Sequence, residues 1–153
     1  MRLIFLILIS ALISAMIAGC GAPRQKYSAE LSMASNDKAG KGLNIEVEWL
    51  KKKKKYIDVR FRAVNKHDHD ILLRESSFKL VFNGKEGKVF KHAGNLDLPK
   101  DTISMHVVVF SFPENKDDGT AKLTITPYVF LPPGPNAKPL APVNIELPVN
   151  SPI

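Results

Sequence analysis

Two stretches decide the fold: Leu43-Asn44-Ile45-Glu46-Val47-Glu48-Trp49 and Ile57-Asp58-Val59-Arg60-Phe61-Arg62-Ala63. In each, apolar and polar residues alternate without a break. A period of two belongs to a β-strand, whose successive side chains stand on opposite faces. Leu43, Ile45, Val47 and Trp49 are predicted to face a core, as are Ile57, Val59, Phe61 and Ala63, while Asp58, Arg60 and Arg62 face out. Lys51 to Lys55, five consecutive lysines, join the two strands.

The same period continues outward. Tyr27, Ala29, Leu31 and Met33 alternate with polar residues and read as an edge strand, followed by a turn around Gly40 and Gly42. Asn65 to Asp70 is a polar turn leading to the short apolar stretch Ile71 to Leu73. Phe78, Leu80 and Phe82 form a strand closed by Asn83-Gly84-Lys85-Glu86-Gly87, with Val89 and Phe90 on the far side. Ile103 to Phe112 is the most apolar strand. Its run Val107-Val108-Val109-Phe110 is apolar on both faces, which predicts a central strand partly covered from both sides. Ala121, Leu123 and Ile125 mark another strand, and Val143, Ile145 and Leu147 a last one. The segment from Leu131 to Pro142 holds five prolines, too many for a paired strand, and reads as a connection crossing one end of the domain. Trp49 and Phe110 are expected in the core.

The chain of 153 residues is the size of one domain. With 44% apolar and 24% charged residues it has the composition of a folded protein, and 11 Pro with 9 Gly favour a loop-rich, all-β fold. Short strands separated by turns, with no helical periodicity after the first twenty residues, predict an antiparallel β-sandwich of about seven to nine strands. A small closed barrel is the alternative. A single Cys excludes a disulfide framework and a thiolate zinc cluster.

The N-terminus follows other rules. After Arg2, Leu3 to Ala18 is apolar apart from Ser10 and Ser14. This run is shorter than the roughly 20 residues a membrane-spanning helix needs, and has the length of a secretory signal. It ends in Ile17-Ala18-Gly19-Cys20, which resembles the lipobox of bacterial lipoproteins. The resemblance implies that residues 1–19 are a signal peptide that is removed and that Cys20 carries palmitate-type acyl chains. It also implies that residues 20–26 are a tether and that residues 27–153 are the folded domain. Gly21 stands where an Asp often signals retention at the inner membrane. The implied location is therefore the periplasmic face of an outer membrane or, in a host without one, the outer face of the cell membrane.

Within the domain, Tyr56-Ile57-Asp58-Val59-Arg60-Phe61-Arg62-Ala63-Val64-Asn65, then Ser77-Phe78-Lys79-Leu80-Val81 with Gly84 and Gly87, then Leu98-Pro99-Lys100-Asp101-Thr102 and Val107 to Pro113, resemble successive strands and loops of bacterial immunoglobulin-like lipoproteins. The likeness runs from about Leu43 to Phe130. It implies an immunoglobulin-like sandwich in a cell-envelope setting and supplies no catalytic residues. The chain departs from the pattern at Lys100-Asp101, where a Gly is common, and in its Pro-rich tail.

Two clusters carry candidate chemistry. The excess of 22 basic over 15 acidic residues is concentrated in Lys51, Lys52, Lys53, Lys54 and Lys55, a candidate patch for an anionic surface such as phospholipid headgroups. A solvated hairpin loop whose like charges discourage edge pairing is the plainer reading. His67-Asp68-His69-Asp70 is the only metal-like cluster. If it lies on a strand, His67 and His69 share one face, and His92 or His106 is a potential third nitrogen ligand for zinc or copper. A hydrated turn is the alternative. There is no GxSxG, no GxxxxGK[ST] and no HExxH.

The expected function is therefore a non-catalytic, lipid-anchored binding or assembly module. It has no cofactor beyond the lipid on Cys20, an envelope protein or anionic surface as partner, and no nucleic-acid role. A metal-binding lipoprotein using His67 and His69, and an accessory or pilot lipoprotein of a secretion system, are the competing readings.

Overall fold

The structure, a computed structural model, describes residues 24–28, 32–113, 117–130 and 137–150. The signal segment 1–19, Cys20, residues 29–31 of the expected edge strand, and the first half of the Pro-rich stretch lie outside the described residues. Of the rest of that expected strand only Met33 is in a strand, and it is 63% exposed and does not face the core. Among the described residues there are thirteen strands and one 3-10 turn, η1 (Glu75–Ser77). The long strands are β3 (Leu43–Lys52), β4 (Tyr56–Asn65), β6 (Phe78–Phe82), β7 (Lys85–Ala93), β9 (Ile103–Ser111), β10 (Gly119–Ile125) and β13 (Val143–Val149). The short ones are β1 (Gln25–Lys26), β2 (Met33–Ser35), β5 (Ile71–Leu72), β8 (Asp97–Leu98), β11 (Tyr128–Phe130) and β12 (Ala137–Pro139).

Nine strands form one antiparallel sheet in the order β1-β3-β4-β9-β7-β6-β10-β13, with β2 also on β3. The sheet curls until β13 lies against β2 and β3, so it is nearly a barrel. Side chains bridge the seam: the Tyr27 hydroxyl donates to the Pro148 carbonyl at 2.8 Å, and Asn36 Nδ2 donates to the Ala141 carbonyl at 3.0 Å. Burial pushes the Tyr27 phenol up to about 12. The second sheet, β12-β11-β5-β8, is built from the connections after β4, before β9, after β10 and before β13. All four leave the same end of the curled sheet, so this small sheet lids the core there. Ile71, Leu73, Leu98 and Val129 join the main apolar cluster through it.

The alternation places the core as expected. Leu43, Ile45, Val47, Ile57, Val59, Phe61, Ala63, Phe78, Leu80, Phe82, Ala121, Leu123, Ile125, Val143, Ile145 and Leu147 are all buried. On the outer face of β3 and β4, opposite charges pair: Glu46 with Arg62 directly across, and Glu48, the extra residue of a bulge, with Arg60 at 2.8 Å. At Asn83-Gly84 both residues have positive φ, 48° and 75°, which is the backbone a two-residue hairpin between Phe82 and Lys85 requires.

Several expectations are corrected. A bulge between Val47 and Trp49 shifts the alternation by one, so Leu50 fills the core position and Trp49 turns to the half-exposed outer face. Gln25 and Lys26, read as tether, form β1 opposite Leu50 and Trp49. β9 is central, between β4 and β7, with His106, Val108 and Phe110 buried on its inner face and Val107 and Val109 partly covered on the outer one, as expected, but its first residue, Ile103, is 61% exposed. Within the Pro-rich stretch, Ala137–Pro139 pairs with β11. Pro139 is tolerated because β12 is an edge. Asp101 has φ 59°, the left-handed backbone that Gly adopts most easily.

Candidate functional site

The two ends of the curled sheet differ chemically. Register defines them. At one end lie the start of β1, the β3–β4 hairpin, the β6–β7 hairpin, the stretch after β9 and the close of β13. At the other lie residues 36–42, 65–70 and 94–102 with the small sheet. β4, of 10 residues, separates the ends by about 30 Å at roughly 3.3 Å per residue.

The lysine run occupies the first end. Lys51 and Lys52 close β3, and Lys53, Lys54 and Lys55 form the exposed turn. The hairpin is fastened to its surroundings. The Phe112 amide donates to the Lys55 carbonyl at 2.9 Å, Lys53 Nζ meets Asp58 Oδ2 at 2.7 Å, and Lys52 Nζ donates to the Asp117 carbonyl while lying 5.5 Å over the Phe82 ring. Lys52, Lys53 and Lys54 line a narrow crevice with Tyr56, Ile57, Phe82 and Phe112. Basic side chains and aromatic rings are thus packed together at this end, with the Lys52 ammonium itself over the Phe82 ring.

His67 and His69 lie at the opposite end. Residues 67–70 form a turn, not a strand, so the shared-face argument does not apply. The turn nevertheless sets the two rings 5.5 Å apart, because the His69 amide donates to His67 Nδ1 at 3.1 Å. That nitrogen is thereby occupied. The neighbouring carboxylates have partners of their own: Asp68 faces Lys100 Nζ at 3.7 Å, and Asp70 Oδ1 accepts the Lys100 amide at 2.9 Å. His67 and Asp68 border an open cleft of about 360 Å³ with Asn36, Asp37 and Lys41. Among the described residues no three His, Cys, Asp or Glu side chains converge as a metal site would require.

His92 and His106, considered as third ligands, are instead joined to each other. His106 is fully buried on β9 and stacks on Phe61 at 5.0 Å, and His92 on β7 stacks on Phe78 at 5.0 Å. Burial, reinforced by neighbouring His92, pushes the His106 imidazole down to about 4. Burial also lowers His92, against the opposing charge of Glu75. Sequence reasoning missed this pair because it depends on β7 lying beside β9. The outer face carries a further cleft of about 500 Å³, lined by Met33, Ala34, Ile45 and Val64 with the Glu46–Arg62 pair across it.

No protein-family model matches the chain, and no curated protein matches it in sequence. Among solved structures it is similar to a candidate lipoprotein, ycdA, from Bacillus subtilis subsp. subtilis str. 168, with a TM-score of 0.54 at 13% identity. The match covers 80% of this chain and 39% of that one, so this chain spans well under half of that protein's length. The likeness is one of all-β fold.

Proposed function

We propose that this protein is a lipid-anchored, non-catalytic binding module of a bacterial cell envelope, built on an immunoglobulin-like β-fold. One observation carries the reading: the sole cysteine, Cys20, closes an apolar run of secretory length in the sequence Ile17-Ala18-Gly19-Cys20. A chance Cys would have no reason to fall there. The similarity in fold to a candidate lipoprotein supports the same setting. Two or three acyl chains on Cys20 would hold the domain firmly, since each buried methylene contributes about 0.8 kcal/mol and one chain alone binds only marginally. The work of the module is then done by its surfaces, toward an envelope protein or an anionic surface. Gly21 favours an outer membrane where the host has one.

Mass spectrometry of the N-terminal peptide from the native host tests this. The expected species begins at Cys20 with an acylated thioether, and Cys20→Ser abolishes both the modification and the membrane association. A peptide retaining residues before 20, with an unmodified thiol, would overturn it.

A further inference from the structure

The start of the described chain lies beside the lysine hairpin. Gln25 pairs with Leu50 and Lys26 with Trp49, and the Arg24 guanidinium stands 4.7 Å over the Trp49 ring. Asn150, at the end of β13, donates its amide to Gln25 Oε1 at 3.2 Å and fixes β1 from the other side. Cys20 precedes Arg24 by only four residues, a reach of about 14 Å at 3.3–3.6 Å each. Any bilayer holding Cys20 therefore lies within that distance of the end carrying Arg24, Lys26 and Lys51 to Lys55. Among the described residues the carboxylates nearby are Asp58, held by Lys53, Glu48, paired with Arg60, Glu86, paired with Lys79, and Asp117 and Asp118 on the stretch after β9.

A second observation points the same way. The bulge between Val89 and Lys91 turns Phe90 outward, 64% exposed, and its ring lies 5.2 Å from that of Tyr56, the first residue after the lysine run. An exposed Phe90 packed on a half-buried Tyr56 beside a basic rim is a combination that suits the boundary between headgroups and acyl chains, where rings bury apolar area and cations meet phosphates.

Resting on the lipid-anchor reading above, we infer that the lysine hairpin docks on anionic phospholipid headgroups of the membrane that holds Cys20. The domain then stands end-on, with the His67–Asp70 turn and the small sheet directed away from the bilayer. The anchor supplies proximity and the hairpin supplies orientation. Because the tether is short, the hairpin meets the headgroups at high effective concentration even if its own affinity is weak. Each lysine near an anionic surface contributes roughly five-fold, and the contribution is lost within a Debye length, about 8–10 Å at ordinary salt.

The experiment uses the lipidated full-length mature protein in vesicles. Acylation blocks Cys20, so a thiol introduced by Lys55→Cys or by Asp68→Cys is unique and takes one fluorophore, which is then exposed to lipids carrying a headgroup-level quencher. In mixed phosphatidylglycerol and phosphatidylcholine vesicles the probe at 55 is expected to be quenched several-fold more than the probe at 68. The difference should shrink in pure phosphatidylcholine, at high salt, and with Lys51→Gln or Phe90→Ser. Equal quenching at both positions, or stronger quenching at 68, overturns the orientation. Quenching at 55 that ignores phosphatidylglycerol and salt overturns the headgroup contact. Failure of the protein to enter the vesicles at all, with an unmodified Cys20 by mass spectrometry, is instead a failure of the anchor reading and so is told apart.

Discussion

His92 Nε2 lies 3.0 Å from His106 Nδ1, with ring centroids 5.3 Å apart and planes 26° from parallel. The two imidazoles meet nearly edge to edge, in one N–H···N hydrogen bond between neutral rings. Whichever ring supplies the proton, Nε2 of His106 remains buried without a partner. The pair joins β7 to β9 beside Phe61 and Phe78, and among the described residues Glu75, near His92, is the group that favours an imidazolium there.

This makes the fold acid-sensitive in a defined window. His106 binds its proton less readily folded, at about 4, than unfolded, near 6.5. Acid therefore favours the unfolded chain. The stability associated with the neutral ring is intact above about pH 6.5 and is lost as pH falls from there toward 4. The loss should be on the order of 2–3 kcal/mol. Urea midpoints between pH 7.5 and 4, compared for the wild-type chain and His106→Phe, check it. The expected result is a shallower pH dependence in the variant, and parallel curves would refute the assignment.

Gly94 is part of the same arrangement. With φ 136° it occupies backbone that side chains avoid, and a Cβ there would lie 2.6 Å from both His106 Nδ1 and the Met105 carbonyl. Gly94→Ala is expected to destabilise by about 2 kcal/mol or more and to disturb the histidine pair. Thermal unfolding, together with the imidazole NMR signals of His92 and His106, would show both effects. A fully native spectrum would argue against the close approach.

At Gly87 the obstacle is a ring instead of the backbone. A Cβ there would meet Phe112 Cζ at 2.3 Å. Gly87→Ala should cost about 1–3 kcal/mol through overpacking. Phe112→Leu removes the clashing ring, so the double variant should be more stable than the two single changes sum to. Additive losses in a double-mutant cycle would mean that the ring moves aside without strain.

How much of this was legible in the sequence depends on which interactions set each feature. Strands whose inner face is continuous, such as Leu43–Val47, Ile57–Ala63 and Ala121–Ile125, declare themselves because burial enforces a period of two. The position of Trp49 did not, since a one-residue bulge leaves composition unchanged and reverses the face. Gln25 and Lys26 have no apolar alternation and pair through the backbone, which every residue carries. Pro139 forbids a central strand but not an edge. Of the candidate sites, the lysine run was visible as charge, while its place beside the chain's entry into the fold, and the meeting of His92 with His106, depend on pairings between distant strands.

The turn bearing His67 and His69 offers a test of the competing metal reading. His67 Nδ1 accepts the His69 amide, and Lys100 engages both Asp68 and Asp70. Two imidazoles with one nitrogen already occupied should hold zinc(II) or copper(II) only weakly, with Kd above about 1 µM. Calorimetric titration of the mature protein checks this. A tighter site that disappears in His67→Ala/His69→Ala would reverse the ranking of the two readings.

That turn keeps its shape because of Asn65. Its side chain is fully buried at the end of β4, where Nδ2 donates to the Leu98 carbonyl at 2.8 Å and the His69 carbonyl at 3.0 Å, and Oδ1 accepts the His67 amide at 2.9 Å. Its backbone adds bonds to Thr102 and Asp101. One amide group thus ties the 67–70 turn and β8 together, and through its backbone the 99–102 loop as well. Asn65→Ala leaves the buried Leu98 carbonyl unmet and removes the part-buried bonds to the His69 carbonyl and from the His67 amide, and an unmet buried partner costs about 1–3 kcal/mol. The expected loss is about 2–4 kcal/mol, felt first at the lidded end. Asn65→Asp is the sharper probe, because the carboxylate still accepts from His67 but cannot donate to Leu98 or His69. It should therefore be nearly as damaging as Ala at neutral pH. Hydrogen exchange in the two variants should show early opening at residues 66–73 and 96–102 while β3, β10 and β13 stay protected. Uniform loss of protection along the chain would mean that Asn65 supports the whole core and not this end alone.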